Sequence, residues 1–477
     1  MKRTLIGRHL PWLALLGAAC TTVGPDYVAP ELQLPDTWSQ PREAGLADGA
    51  AEDLAWWQRC DDPLLTQLVD LALRQNLDLR AGLVRLQAAR ALRGVAAAGA
   101  WPTLDARGAY EHREESLNTP FGAFIPSTEI HSVGFDAAWE LDLWGRVRRS
   151  VEAADRDLDA SALDVHAAAL SVAAEVARAY VDLRAAQRRL QLANENLQLQ
   201  QRTLELVRAR QAAGLVRERD VAQASTNVET TRSRLPQLQA ATSAASNRIA
   251  VLLGRAPGDL PVELGDGGAL PHLPATVAVG TPVDLLRRRP DVRAAERRLA
   301  AEVARIGVAE ADRYPRFTLS GTFGFASDGG KHLLDGDSQV VGFGPSVRWN
   351  LFDGGRLKNR IASLQASAEA AQIAYEQTVL LAIEEAENAM TRFVREQARR
   401  DALERAATEA RRAVTLAQAQ YSEGLSDFQT VLDSERIVAT IEDDLASSDA
   451  TVATELIAVF KALGGGDEPV AVTAAAR

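Results

Sequence analysis

The second half of the chain repeats the first, and this duplication constrains the fold more than any other feature of the sequence. The matches share their order and nearly share one offset, so each half must build a copy of the same structural unit. The matched pairs are LDLRAGLVRLQAARALRGVAAAGAWPTL (77–104) with PDVRAAERRLAAEVARIGVAEADRYPRF (290–317), WELDLWGRVR (139–148) with WNLFDGGRLK (349–358), AGLVRERDV (213–221) with EGLSDFQTV (423–431), and RIAVLLG (248–254) with LIAVFKALG (456–464).

The repeats predict where the domains begin and end. A stretch rich in proline and glycine separates the two copies, as expected of a connector. The last residues, GGGDEPVAVTAAAR, are typical of a peripheral tail. The predicted domains are a signal peptide at 1–19, an extended N-terminal segment at 20–60, a first repeat at 61–254, a linker at 255–281, a second repeat at 282–464 and a tail at 465–477.

Each repeat contains two stretches of strict alternation between apolar and polar residues, which predict β-strands. In SVGFDAAWELDLWG, for example, Phe135 and Trp139 share one face and Asp136 and Glu140 share the other. Segments of about 10 residues that are apolar on one side suit a membrane barrel with a wet lumen. A soluble antiparallel sheet with one buried face is the alternative. The predicted strands are about 103–111, 132–143, 316–326 and 340–352.

Long helical stretches follow the strands. Residues 146–213 and 356–423 contain neither proline nor glycine, which at about 1.5 Å per residue gives helices of roughly 100 Å. Leucines recur at every seventh position in the first, as in a coiled coil. Each stretch ends at a Gly-Leu pair, Gly214-Leu215 or Gly424-Leu425, where a helix C-cap is expected.

Four strands cannot close a barrel, and exposed strand edges are not tolerated in hydrocarbon. Several identical chains must therefore complete the barrel together. The predicted fold class is mainly α with membrane β: four strands and long coiled-coil helices per chain, assembled into a homo-oligomer whose continuous lumen allows passage of solute.

The N-terminus has the layout of a secretory signal peptide. Lys2, Arg3 and Arg8 precede a short apolar core, and small residues precede Cys20. A cysteine directly after the cut is typical of a bacterial lipoprotein, so Cys20 is the predicted site of lipid attachment. Ordinary cleavage nearby, leaving Cys20 free, is the alternative.

Other classes of function find little support. The net charge of −11 argues against a nucleic-acid surface. The six histidines show no metal-binding spacing, and nothing places a pair of carboxylates in a pocket. Asp353-Gly354-Gly355 lacks the Lys-Ser/Thr of a phosphate-binding loop and is better read as a turn from strand to helix. The sequence predicts no catalytic residue, no metal, no cofactor and no enzymatic activity.

A series of motifs from Cys20 to about Gly464 also forms a recognisable set. They are VGPDYVAP after Cys20, LPDTW (34–38), WW (56–57) with DPLLTQLVDLAL, WELDLWGR, GLVRERDV, RRRPDVRAAERRL, YPRFTLSGTFG, WNLFDGGR and EGLSDFQTVLDSER. With them the sequence resembles the TolC-like outer membrane efflux proteins, in the lipoprotein branch that includes OprM and NodT.

The resemblance implies a homotrimer with a 12-stranded outer-membrane barrel and an α-helical periplasmic tunnel, with the linker in the equatorial region. It implies a lipid-anchored outer-membrane duct that passes drugs, metals or other small molecules from a periplasmic adaptor and an inner-membrane pump of the resistance-nodulation-division type. An exit duct for type I protein secretion and a coiled-coil lipoprotein that organises the envelope are the alternatives.

The resemblance also assigns site residues. It places the tips that meet the adaptor at Gly214, Leu215, Val216, Gly424, Leu425 and Ser426, although a plain glycine C-cap would have the same sequence. It places a periplasmic aperture at Gln429 and Asp433. Three Asp433 carboxylates around one axis would favour cations, whereas the alternative is a solvated helix face.

Overall fold

The computed structural model describes residues 22–39, 45–47, 49, 56–120, 124, 127–260, 264–265, 267–272, 274 and 276–464. These residues form two compact units. The strand unit comprises Met1–Glu31, Arg85–Ser161 and Ala294–Tyr375, and the helix unit comprises Leu32–Val84, Ala162–Arg293 and Glu376–Arg477, in each case as far as the structure describes them.

The helices and strands follow the duplicated order. The strands of the strand unit are β1 (Thr103–Arg113), β2 (Thr128–Leu141), β3 (Arg316–Asp328) and β4 (Gln339–Arg348). The helices are α1 (Pro63–Gln75), α2 (Leu77–Ala98), α3 (Arg146–Ala212), α4 (Glu218–Leu252), α5 (Pro282–Arg288), α6 (Pro290–Ala311), α7 (Arg356–Ser422) and α8 (Phe428–Ala462).

The four strands form one antiparallel sheet in the order β1-β2-β3-β4. Its apolar side chains lie open: Phe135 is 52% exposed, Phe343 89% and Val347 60%. A soluble sheet would bury this face against a core. The exposure therefore supports the prediction of membrane strands over that of a soluble sheet.

Two strand limits differ from the predicted ones by four residues, and others differ by one or two. β2 begins at Thr128 rather than at 132, and β4 ends at Arg348 rather than at 352. β4 ends at Arg348 because its partner strand β3 begins at Arg316, directly opposite Arg348, so the residues after Arg348 have no strand to pair with. Just beyond the strand, the Trp349 indole N–H donates to the Arg313 carbonyl at 3.0 Å, and the chain then turns towards α7. The alternation of apolar and polar residues continues beyond Arg348, so the alternating pattern could not predict where the strand ends.

The two junctions between strand and long helix use the same design. The Asp142 carboxylate accepts hydrogen bonds from the backbone N–H groups of Val147 and Arg148 at the start of α3. The Asp353 carboxylate accepts from the N–H groups of Gly355 and Leu357 at the start of α7. Both aspartates satisfy N–H groups that a helix leaves unpaired at its first turn. Asp353 thus caps a helix, as its sequence context predicts.

The core of the helix unit is built on aromatic and aliphatic side chains of both repeats. Trp56 is 1% exposed and stacks on Phe460, with ring centroids 5.1 Å apart. Leu183 of the predicted heptad is also fully buried.

Within the described chain, α3 is the one helix that is apolar and long enough to cross a membrane. Half of its apolar stretch is buried, as in a core helix.

The short helices are joined to the ends of the return helices in both repeats. Asn76, between α1 and α2, donates to the Leu252 carbonyl at the end of α4, at 2.9 Å. Arg289, between α5 and α6, donates to the Ala462 carbonyl at the end of α8, at 3.1 Å. Both side chains are buried. Each satisfies a carbonyl that the last turn of a helix leaves free, so the duplication extends to individual hydrogen bonds.

Candidate functional site

The two predicted tips close with one backbone geometry. The N–H of Leu215 donates to the Arg210 carbonyl and that of Gly214 to the Gln211 carbonyl, both at 2.9 Å. In the second tip, Leu425 and Gly424 make the corresponding bonds to Gln420 and Tyr421, at 2.8 and 3.0 Å. This is the Schellman C-cap, which needs a left-handed residue. Glycine meets that need, with φ of +72° at Gly214 and +77° at Gly424.

The leucine after each glycine is open to solvent. Leu215 is 73% exposed and Leu425 is 75% exposed. In a Schellman cap this position frequently packs on an apolar residue five or six positions earlier. Here the positions five earlier hold Arg210 and Gln420, and the positions six earlier hold only the small side chains of Ala209 and Ala419. The leucines are therefore left free, which a C-cap alone does not require.

The other predicted tip residues are less accessible. Val216 is half-buried and packs on an apolar cluster that we call the tip cluster. Ser426 is half-buried, and its hydroxyl donates to the Asp427 carbonyl at 3.4 Å. Of the six predicted residues, the glycines and leucines thus form the outer surface. The tip cluster consists of Leu204, Val207, Ala224, Val228, Ala417, Tyr421, Phe428, Val431 and Leu432.

The second return helix, α8, begins with an acidic cap. The Asp427 carboxylate accepts from the backbone N–H of Thr430 at 3.0 Å and from its hydroxyl at 2.8 Å, and these bonds lower the pKa of Asp427. A lowered pKa means that the cap is complete above the usual pKa of an aspartate and is lost as pH falls through the lowered value. The turn therefore keeps its shape at neutral pH.

Arg210 joins the two tips and was not predicted from the sequence. Its guanidinium donates to the carbonyls of Tyr421 and Ser422, both at 2.8 Å, and lies 4.4 Å from the centre of the Tyr421 ring. Those carbonyls belong to the last turn of α7, whose negative end attracts cations. A basic residue near a helix end usually interacts with its own helix, so local sequence does not indicate a partner 211 residues away.

The two predicted aperture residues are neighbours on an exposed face of α8. The Gln429 amide donates to the Asp433 carboxylate at 2.9 Å, and both side chains are exposed. The carboxylate is therefore oriented by the amide one helical turn before it and remains open to solvent. Three such carboxylates facing one axis would form a negative ring.

The predicted lipid-attachment residue, Cys20, lies outside the described residues. The segment that follows it, which we call the strap (22–31), is fixed to the strand unit. The N–H of Val23 donates to the Trp144 carbonyl at 3.1 Å, and Gly24 lies against Gly307 so closely that a Cβ there would be 2.4 Å from the Gly307 Cα. Gly24 also has φ of +89°. Only glycine fits this position.

Arg149 holds the strap through side-chain contacts. Its guanidinium donates to the Asp26 carboxylate at 2.6 Å and to the carbonyls of Val23 and Gly24 at 3.2 and 3.3 Å. It also pairs with Glu152 at 2.8 Å. The side chain of Arg149 is 4% exposed. The strap is thus pinned to the first turn of α3.

The described residues include no group of three or more histidine, cysteine, aspartate or glutamate side chains that could hold a metal. Cys60 is a free and buried thiol, and burial raises its pKa to about 11. A buried thiol with a raised pKa is a poor nucleophile at neutral pH.

Comparison with known proteins agrees with this architecture. The chain is 33% identical to nodulation protein T of Rhizobium leguminosarum bv. trifolii, over 97% of each chain. It is 31% identical to the antibiotic efflux pump outer membrane protein ArpC of Pseudomonas putida, over 95% of this chain and 94% of ArpC. Among solved structures, the outer-membrane channel OprN shares 38% identity with a TM-score of 0.88, over 94% of this chain and 100% of that one.

The repeats themselves match a family profile. Residues 68–255 and 281–465 correspond to the family described as outer membrane efflux protein. These two stretches take up more than half of the chain, and the resemblance inferred from the motifs is confirmed. The chain belongs to the outer membrane efflux protein family.

Proposed function

We propose that this protein is the outer-membrane exit duct of a tripartite efflux system that passes small molecules out of the cell. The four-stranded sheet carries the proposal. Its apolar face is exposed, and its edge strands, β1 and β4, have no partner within the described chain. In hydrocarbon each unpaired backbone group costs several kcal/mol, so further copies must complete the sheet into a barrel.

The opposite face of the sheet suits a wet lumen. Arg107 pairs with Asp136 at 3.3 Å, and the Thr322 hydroxyl hydrogen-bonds to the same carboxylate. Charged and hydroxyl groups on this face alternate with apolar groups on the other, as in water-filled barrels. Four strands from each of three copies give the 12-stranded barrel of a homotrimer, within the range of about 8 to 26 strands seen in such barrels.

The tips support docking to a periplasmic adaptor. Two exposed leucines at the ends of α3 and α7, on rigid Schellman turns, offer small apolar anchors without loose loops. Apolar anchors on rigid turns bind with little loss of conformational entropy. ArpC is named as a component of an efflux pump. As partners of the present chain we propose a periplasmic adaptor and an inner-membrane pump of the resistance-nodulation-division type.

Asp433 is the proposed selectivity residue of the periplasmic aperture. In planar lipid bilayers the wild-type protein should conduct and prefer cations, and Asp433→Ala should lower the cation-to-anion permeability ratio by about twofold or more, because a ring of charge is removed. Reversal potentials in a salt gradient measure the ratio. Asp401→Ala, at an exposed carboxylate on α7, is the matched control.

The two outcomes separate the parts of the proposal. A wild-type protein that inserts but never conducts contradicts the duct itself. If both proteins conduct and Asp433→Ala has the same cation preference as wild type, the proposed duct is supported and the charged ring at Asp433 is rejected.

Cys20 is the proposed acyl anchor in the outer membrane. Each buried methylene contributes about 0.8 kcal/mol, and stable attachment needs more than one chain. Metabolic labelling with palmitate should mark the wild-type protein and Cys60→Ser, because Cys60 is buried, and should fail to mark Cys20→Ser. Label that survives in Cys20→Ser would refute the anchor.

A further inference from the structure

A layer of buried polar side chains crosses the helix unit next to the tip cluster. On one side lies the tip cluster, and on the other a smaller apolar cluster of Ala410, Val414 and Val438. The layer draws on both repeats, with two helices from each. We call it the polar layer, and it consists of the buried Gln200 and Thr203 of α3, Asn227 of α4 and Glu435 of α8, together with the half-buried Gln418 of α7.

Glu435 is the centre of the polar layer. It is 2% exposed, and its carboxyl accepts a hydrogen bond from the Thr203 hydroxyl at 2.7 Å and from the Gln418 amide at 3.2 Å. The Thr203 bond joins α3 of the first repeat to α8 of the second. A buried carboxylate is normally paired with a cation or bound by several donors. Here both donors are neutral.

The rest of the polar layer is incompletely hydrogen-bonded. The Gln200 side-chain oxygen and the Asn227 amide nitrogen are buried without a partner. A buried polar atom left unpaired costs about 1–3 kcal/mol, which water would relieve. Separating the helices and admitting water should therefore cost less free energy at the polar layer than at the two apolar clusters beside it.

The charged groups on the four helices do not neutralise Glu435. On α8, Asp433 is exposed, and Arg436 is exposed and directed to Asn227 at 3.4 Å. The other charges near this level pair with one another or are exposed on the outer faces. They are Arg202 and Glu205 on α3, Glu229 with Arg232 on α4, and Arg411 on α7 with Glu442 on α8.

We propose that Glu435 is a gating residue of the duct: its contact with Thr203 latches α3 to α8, and hydration of its carboxylate when these helices separate favours the open aperture. The proposal rests on the proposed function, since Asp433 of the aperture lies two residues away on α8. It assigns a role to a residue that faces the interior of the bundle and never reaches the lumen while the latch is closed.

The direction of the pH dependence follows from burial. Burial raises the pKa of Glu435 above its usual range, and the bonds from Thr203 and Gln418 offset only part of this. A raised pKa in the latched state means that the latch is most stable below the usual pKa of a glutamate and weakens as pH rises through the raised value. Acid should therefore favour the closed duct and neutral pH the open one.

The test is the pH profile of conductance in planar bilayers, from about pH 5 to about pH 8. Open probability of the wild-type trimer should rise by roughly tenfold across this range, for a difference of about 1.4 kcal/mol. Glu435→Gln keeps the acceptor but cannot ionise, so its open probability should stay at the acidic wild-type level. Glu409→Gln, at an exposed carboxylate on α7, should behave as wild type.

Thr203→Val tests the same hydrogen bond by changing the donor instead of the acceptor. It deletes the hydroxyl donor with little change of volume, so open probability at acidic pH should rise several-fold although Glu435 remains. A shared pH profile for wild type and Glu435→Gln would overturn the latch, as would an unaltered acidic state in Thr203→Val. Neither result affects the duct, which fails only if the wild-type trimer does not conduct.

Discussion

Replacing Leu215 and Leu425 together by aspartate should abolish crosslinking of this protein to the proposed periplasmic adaptor and leave the proposed trimer intact. Both side chains are about three-quarters exposed on rigid turns, at 73% and 75%. An anchor residue at an interface contributes about 2 kcal/mol or more, and two buried charges replace two apolar contacts. Affinity should therefore fall by at least roughly a hundredfold.

The measurement is site-specific crosslinking in cells that contain the adaptor, with trimer content followed on native gels. The fold should tolerate the change because neither leucine packs on the tip cluster. Leu334→Asp is the matched control, at a leucine that is 74% exposed between β3 and β4. Crosslinking of the double variant at the wild-type level would exclude the leucines as the docking surface.

Removing the Arg149 side chain should release the strap. Arg149→Ala breaks the bonds to Asp26, Val23 and Gly24 and leaves two carbonyls without their donor. Asp26 is 87% exposed, so its charge contributes little. The hydrogen bonds themselves should contribute about 2 kcal/mol in total. Chymotrypsin should then cut after Tyr27 at least about tenfold faster than in wild type.

Tyr27 reports on the strap because its hydroxyl donates to Glu296 at 3.1 Å and holds the ring in place. Arg149→Lys should give an intermediate rate, since one ammonium group cannot reach every acceptor of the guanidinium fork. Arg156→Ala, which breaks an exposed pair with Asp159 on the same helix, should leave the rate unchanged. Equal cleavage of Arg149→Ala and wild type would show that the strap is held by other contacts.

Much of the fold could be predicted because its signals are local. Alternation marked the strands, and the absence of proline and glycine marked α3 and α7. Gly214 and Gly424 marked the turns, since a left-handed C-cap favours glycine strongly. The strand limits were less accurate, because the end of β4 depends on where its partner strand begins, at Arg316, which the local pattern around β4 does not contain.

For the candidate site, the sequence predicted which residues form it better than it predicted the contacts those residues make. The turn residues and Asp433 came from motif and resemblance, which imply an exposed docking surface, whereas the exposed fraction of each side chain comes from the tertiary structure. The Schellman turn is the same whether Leu215 packs inward or points outward. The tertiary structure leaves Leu215 73% exposed and outside the tip cluster.

The sequence by itself determined the duplicated unit, the class of its helices and strands, and the family, because each depends on residues close together in the chain or on matching segments. The tertiary structure alone decided the contacts that tie the repeats and the N-terminus together. Arg210 with Tyr421, Arg149 with Asp26 and Thr203 with Glu435 are 211, 123 and 232 residues apart. Such pairs form when packing brings distant helices side by side, and no local pattern specifies which helices those will be.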